Sequence, residues 1–135
     1  MEYIVKTRSK KTKQFIETIM PSIIKQLKLE NSRKFVLIDI GNHSGEGNAG
    51  MTMPLDAVDS YIVSIRPGRL SDIGATLAHE MVHVKQLAKG VLRTNGNIKY
   101  WCGRRYSNKV KYLDQPWEQE AFAKQEIILR RALGQ

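Results

Sequence analysis

A single cysteine, Cys102, in a chain of 135 residues excludes an internal disulfide and any cysteine-based zinc ribbon, and fits a cytosolic protein. Long apolar runs are also missing. Phe35–Ile38 is the apolar core of one short stretch that Asp39 soon breaks, far from the ~20 residues a bilayer requires, so no membrane association is expected. The basic start, MEYIVKTRSKKTKQ, is followed by neither an apolar core nor a small-residue cleavage site, so no signal peptide is expected. Neither glycine fingerprint for phosphate occurs: GNHSGEGNAG (Gly41–Gly50) is followed by no G-K-S/T and contains no G-x-G-x-x-G. That stretch reads as a flexible turn joining two strands, and His43 within it as a solvated loop histidine rather than a ligand. Acidic residues are scarce, 13 against 22 Lys and Arg, which leaves a formal charge of +9. The excess gathers at Lys6, Arg8, Lys10, Lys11 and Lys13, then at Lys99, Arg104, Arg105, Lys109 and Lys111. Such fields favour anionic partners, nucleic acid among them, and also simply keep a small protein in solution. No RNP-like or helix-turn-helix signature is present to favour nucleic acid.

What is present is the patterning of one globular domain spanning residues 1–135. Tyr3–Val5 reads as a short strand or an anchor. Phe15, Ile16, Ile19, Ile23, Ile24 and Leu27 recur at helical spacing, with Pro21 either kinking that helix or restarting it. Lys34–Ile40 reads as a central strand and Asp59–Ile65 as the next one, ended by Pro67-Gly68. A helix follows, capped by Ser71 or Asp72 and stopped at Gly90. From Val91 to Gln115 the chain mixes aromatics, basic residues and turn signals at Asn95-Gly96 and Gly103, which predicts a loop with at most a short hairpin. Asp114 or Gln115, then Pro116, opens a last helix.

The middle helix carries LAHEMVHVKQLAKG, and within it His79-Glu80-Met81-Val82-His83, the pattern H-E-x-x-H. Leu77, Met81, Val84 and Ala88 form one core-facing stripe. At about 100° per residue, His79 lies roughly 160° from Leu77 and His83 about 40° further, so the two histidines share the other face. Imidazoles one turn apart can both reach a single zinc ion, and Glu80, one step round, stands beside that ion, where it can accept a proton from zinc-bound water. Two histidines need a third protein ligand, leaving a fourth position open for water. The last helix offers Glu118, Glu120 and Glu126, and the 34 residues from Val84 through Trp117 are ample for it to fold back.

LAHEMVHVKQ followed by PWEQEAFAKQ resembles the gluzincin metallopeptidases, in particular the small minigluzincins and short zincin-like proteins of phage and bacterial genomes. In that group the histidine helix is followed by a glutamate helix written E-x-x-A and then Asp or Asn. Glu118-Gln119-Glu120-Ala121 fits the first four positions, so the resemblance implies Glu118 as the third zinc ligand, with Glu120 as the alternative. Phe122 departs from the pattern, so a supporting hydrogen bond is missing or comes from elsewhere.

The resemblance implies a small α+β zincin-like fold: an N-terminal helix, a small, mainly antiparallel sheet, the H-E-x-x-H helix and a C-terminal glutamate helix. It also implies an edge strand above the site, for which Ser60–Ile65 (SYIVSI) is the candidate, with Val63 and Ser64 lining the cleft and a peptide adding as a further strand. The implied activity is zinc-dependent hydrolysis of a peptide or protein substrate, with Glu80 as general base and His79, His83 and Glu118 on the metal. The implied place is the cytoplasm, or the virion for a phage-encoded chain. Tyr106, Tyr112, Arg104 and Arg105 lie between the two helices as possible oxyanion donors, Tyr112 being nearest the glutamate helix. Two other functions compete: a regulatory or nucleic-acid-associated zincin, suggested by the basic clusters, and a structural domain stapled by a non-catalytic zinc.

Overall fold

A computed structural model describes residues 1–41, 49–55 and 59–135. The elements run β1 (Glu2–Lys6), α1 (Lys10–Gln26), β2 (Phe35–Ile40), β3 (Gly50–Pro54), β4 (Ser60–Ile65), α2 (Leu70–Ala88), β5 (Leu92–Asn95), β6 (Ile98–Trp101) and β7 (Arg104–Tyr106). A 3-10 turn (Tyr112–Asp114) and α3 (Pro116–Ala132) complete the chain. The fold is α+β, as expected. Three of the five strand pairings are antiparallel. The two parallel ones join β1 to β2 and β2 to β4.

The main sheet has the order β1-β2-β4-β3. Its strands alternate because one face alone packs on helices: Val36, Ile38, Tyr61, Val63 and Ile65 are buried, and their neighbours in sequence are only half covered. Ile16, Ile19, Met20 and Ile23 of α1 and Ile73, Leu77, Met81 and Val84 of α2 close that core. α1 runs unbroken through Pro21, which lies on the exposed side, where the carbonyl it deprives of a partner can turn to water.

Three expectations are corrected. SYIVSI is not the edge: β4 lies between β2 and β3, and Val63 is wholly buried. Among the described residues the edge nearest α2 is β3, a strand hidden at the end of the glycine-rich stretch, whose residues 42–48, His43 included, lie outside the described residues. Second, Arg69 occupies the N-cap of α2, so Ser71 and Asp72 fall in its first turn, where Asp72 faces the positive end of the helix dipole. Third, the segment after Gly90 is a three-stranded antiparallel sheet rather than a loop with one hairpin. Gly96 (φ +61°) turns β5 into β6, and Cys102 (φ +50°) with Gly103 (φ +83°) supplies the two positive-φ positions of a type I′ turn into β7. Gly90 does end α2, at φ +76°.

Gly50 and Gly74 let α2 be crowded from two sides. A Cβ on Gly74 would stand 2.8 Å from Leu129 and 3.2 Å from Phe15, so α1 and α3 close over α2 there. One on Gly50 would stand 2.5 Å from Thr76 and 3.1 Å from Cγ of Glu80, which brings the β3 backbone directly over the motif.

Candidate metal centre

Because α2 is covered by the core on one side and by β3 and α3 on the other, its polar residues are dry. His79, Glu80 and His83 are 6%, 6% and 7% exposed, and Gln86 is 1% exposed. Such burial is tolerable only where each polar atom has a partner. Ligand atoms of His79, Glu80 and His83 all lie within 4.8 Å of one another, so this buried group can hold a metal ion.

α3 brings Glu118 to the same point: its Oε1 is 2.8 Å from Nε2 of His79 and 3.0 Å from Nε2 of His83. The other two glutamates go elsewhere. Glu120 accepts from Nε2 of Gln86 at 3.0 Å and faces Lys124 at 3.5 Å, and Glu126 is exposed. Of the three α3 glutamates, Glu118 therefore stands at the histidine pair.

The far sides of the imidazoles decide what Nε2 can do. Nε2 of Gln86 donates to the Trp117 carbonyl and to Glu120, both at 3.0 Å, so its amide oxygen must face Nδ1 of His83, 2.8 Å away. Nδ1 of His83 is thus the donor, and in the neutral ring Nε2 carries a lone pair toward Glu118. Oε1 of Gln125 lies 2.7 Å from Nδ1 of His79 and supports the same tautomer there. Two ring nitrogens and a carboxylate oxygen then converge as acceptors, an arrangement stable only around a cation. The separations of Glu118 Oε1 from the two nitrogens fall a few tenths of an ångström short of the ~3.3 Å edge of a tetrahedron with bonds of ~2.0–2.1 Å, so the donor set suits an ion of that size.

With protons as the only cations, the same convergence shifts the titrations. Burial opposes charging of His83, but its hydrogen bonds to Glu118 and Gln86, with the charges of Glu118 and Glu80, outweigh this and raise its pKa. Burial likewise acts against the Glu118 carboxylate, yet hydrogen bonds from both histidines and their charges bring it down to about 2. Glu80 moves the other way: burial raises its pKa, against the hydrogen bond from Thr52 and the nearby histidines. Oγ1 of Thr52 lies 2.6 Å from Oε1 of Glu80 and 3.2 Å from its carbonyl oxygen, and its one proton serves the nearer oxygen best. Tyr112 donates to Oε1 of Glu118 at 3.1 Å; burial and the Glu118 charge hold its hydroxyl at about 12.

Two cavities flank the group. One of about 300 Å³ on the His83 side is bounded by Gly50, Thr52, Leu92, Lys99 and Trp117. One of about 220 Å³ on the His79 side is bounded by Ala49, Ala75, Thr76, Phe122 and Gln125. Tyr112 and Glu80 border both. The remaining oxyanion candidates lie apart: Arg104 and Arg105 are exposed, and Tyr106 packs edge-on against Trp117 with ring centroids 5.5 Å apart.

Phe122 packs its ring 4.5 Å from that of His79, and the hydrogen bond that the departing position forfeits comes from Gln125, three residues further on α3. Gln86, Gln125 and Thr52 escaped the reading of the sequence. For the glutamines, the i+3 spacing from His83 and from Phe122 was the available signal; Thr52 gave none, since its strand was not recognised. Comparison with protein-family models, curated proteins and solved structures finds no match to this chain.

Proposed function

We propose that this chain is a zinc-dependent peptidase in which His79, His83 and Glu118 hold the metal and Glu80 is the general base. The observation that carries the reading is the division of labour between the two buried glutamates. Glu118 meets both Nε2 atoms, while Glu80, one residue from His79, is turned to Thr52. A structural site has no use for a second, protonation-sensitive carboxylate held beside the ligands. Two nitrogens and one oxygen with a fourth position left open favour zinc among the common divalent ions.

A bound zinc ion would polarise the scissile carbonyl and make water a nucleophile near neutral pH. The chain supplies the rest. Burial raises the proton affinity of Glu80, so it takes the proton of the attacking water and later delivers it to the leaving amine. The Tyr112 hydroxyl, which donates to Glu118, is a donor at the site for the oxygen on which charge develops.

Peptide binding is best explained by β3. Ala49 accepts from the Arg66 N–H and Leu55 donates to the Ser60 carbonyl, so alternate residues bond inward to β4. Gly50 and Thr52 therefore direct their backbone N–H and C=O groups to an edge above Glu80 that no strand among the described residues pairs, where an extended peptide can add as a strand.

The test is elemental analysis of the purified protein combined with cleavage of a mixed peptide pool. Zinc near one equivalent is expected, with cleavage lowered ~10²- to 10⁴-fold in Glu80→Gln. Protein that binds no zinc, or equal cleavage by the variant, would sink the reading.

A second reading rests on Lys6, Arg8, Lys10, Lys11 and Lys13, all exposed around the end of β1 and the first turn of α1. They favour a regulatory zincin that meets nucleic acid. Binding to duplex DNA that weakens steeply with salt is expected in that case, and no binding at low salt removes it.

A further inference from the structure

The wall of the cleft on the His83 side is one face of the small sheet. Directly opposed residues of antiparallel strands point to the same side, so Leu92, Thr94, Lys99, Trp101, Arg104 and Tyr106 share a face. That face looks inward: Tyr106 packs on Trp117, and Nζ of Lys99 stands 5.3 Å from the Trp117 ring centroid. The indole face gives the half-buried lysine a cation–π partner. Lys99 and Thr94 both border the 300 Å³ cavity. Among the described residues no carboxylate lies within salt-bridge distance of Lys99, and it is the one lysine or arginine lining that cavity, His83 being its other basic side chain. Glu80 and Glu118 line the cavity too, but a divalent cation held at the histidines would offset their charge and leave that of Lys99 in surplus. Among the described residues the cavity on the His79 side is lined by no lysine or arginine and is walled by Ala49, Ala75 and Phe122.

We infer that Lys99 makes the His83 side of the cleft a subsite for an acidic side chain, so that the substrate is a peptide with Asp or Glu on that side of the scissile bond. The inference rests on the peptidase reading for its substrate, but not for its test. A carboxylate entering the cavity exchanges water for an unpaired ammonium between low-dielectric walls, where pairing is stronger than on an open surface. Arg104, with its guanidinium 5.4 Å from the Tyr106 ring centroid, extends the same positive face.

The experiment uses the full chain with Glu80→Gln, loaded with zinc, so that peptides bind without turnover. Fluorescence anisotropy is read for labelled peptides of one sequence in which single positions carry Glu or Lys. The Glu series is expected to bind about five- to tenfold tighter at one position. Lys99→Met should abolish that preference and Lys99→Glu should reverse it, with circular dichroism unchanged. Equal binding of the two series, or a preference that survives Lys99→Glu, overturns the subsite. A parallel digest with zinc-loaded wild type separates the two readings: acidic preference in binding without any cleavage overturns the peptidase and leaves the subsite standing.

Discussion

Two faces of α2 are buried by different means. Ile73, Leu77, Met81 and Val84 enter an apolar core that also takes Ile16 and Ile19 from α1 and Val63 from β4. On the opposite side His79, Glu80, His83 and Gln86 are almost as dry, yet none packs as a hydrophobe. Each is matched atom to atom by residues from β3 or α3: Thr52 on Glu80, Glu118 on both histidines, Gln125 on His79, Trp117 and Glu120 on Gln86. The first face requires only volume and low polarity, which many side chains provide. The second requires particular atoms at particular distances, because a buried polar group left alone costs more than its pairing gains. One helix thus carries stability on one side and chemistry on the other, and substitutions should separate the two.

The largest separation comes from Leu77→Ala. Leu77 is wholly buried, so its truncation is expected to cost ~2–5 kcal/mol of unfolding free energy, read by urea denaturation. Zinc affinity, measured by competition with a chromophoric chelator on the folded protein, should stay as in wild type. Gln86→Leu should do the reverse in kind. It keeps volume but removes the acceptor of His83 Nδ1 and the donor to Trp117 and Glu120, so zinc affinity should fall ~10- to 100-fold. Gln125→Leu should lie at the low end of that range, since Gln125 is only half-buried and its amide group has, among the described residues, the single partner His79. Equal effects of the two glutamine variants would break the argument that Gln86 sets the tautomer through its other bonds.

The apolar face of α2 was legible in the sequence because its information is local: the period of 3.6 appears in any window of Leu77, Met81 and Val84. The motif was legible for the same reason, as the spacing from His79 to His83 is one helical turn. Between Glu118 and Glu120 periodicity could not choose, and it was the E-x-x-A resemblance that favoured Glu118. What settles which side chain stands at the histidines is how α3 crosses α2, a long-range fact. β3 was missed because Gly50–Pro54 holds a glycine and a proline in a short run, and its alternation is inverted, with Met51 and Met53 exposed and Gly50 and Thr52 turned inward. Its place comes from pairing with β4, and with it come Thr52 and the edge of the sheet among the described residues. The sheet of β5 to β7 was under-read because each strand is only three or four residues long, and its turns carry more signal than its strands do.

Glu80→Gln sharpens the contrast with an effect of opposite sign. A carboxyl whose folded pKa is raised contributes stability below its unfolded value near ~4.3 and loses it as pH rises through the folded one. At neutral pH the buried Glu80 charge is therefore a net cost to the metal-free fold. An amide oxygen still accepts from Thr52 and carries no charge, so the variant should unfold at a higher urea midpoint than wild type at pH 7. A lower midpoint would mean that the Thr52 hydrogen bond and the histidine charges outweigh desolvation.

The pH dependence of metal-free protein tests whether the polar face behaves as one unit. Glu118 is held at about 2, below its unfolded ~4.3, so its contribution is complete above ~4.3 and fades as pH falls toward 2. His83 is raised above ~6.5, so its contribution is complete below ~6.5 and fades as pH rises through the folded value. Both limbs draw on one interaction, the carboxylate against the imidazolium. Metal-free stability should accordingly be greatest between about pH 4.5 and 6.5. Urea midpoints at pH 3, 5.5 and 8.5 check this in the Glu80→Gln background, which removes the separate fade of Glu80 with rising pH, and there Glu118→Gln should flatten both limbs together. Flattening of the acid limb alone would show that His83 is held by Gln86 rather than by Glu118. In excess zinc the alkaline limb should invert, because protons and metal compete for the same Nε2 lone pairs, and raising pH then favours the folded, loaded protein.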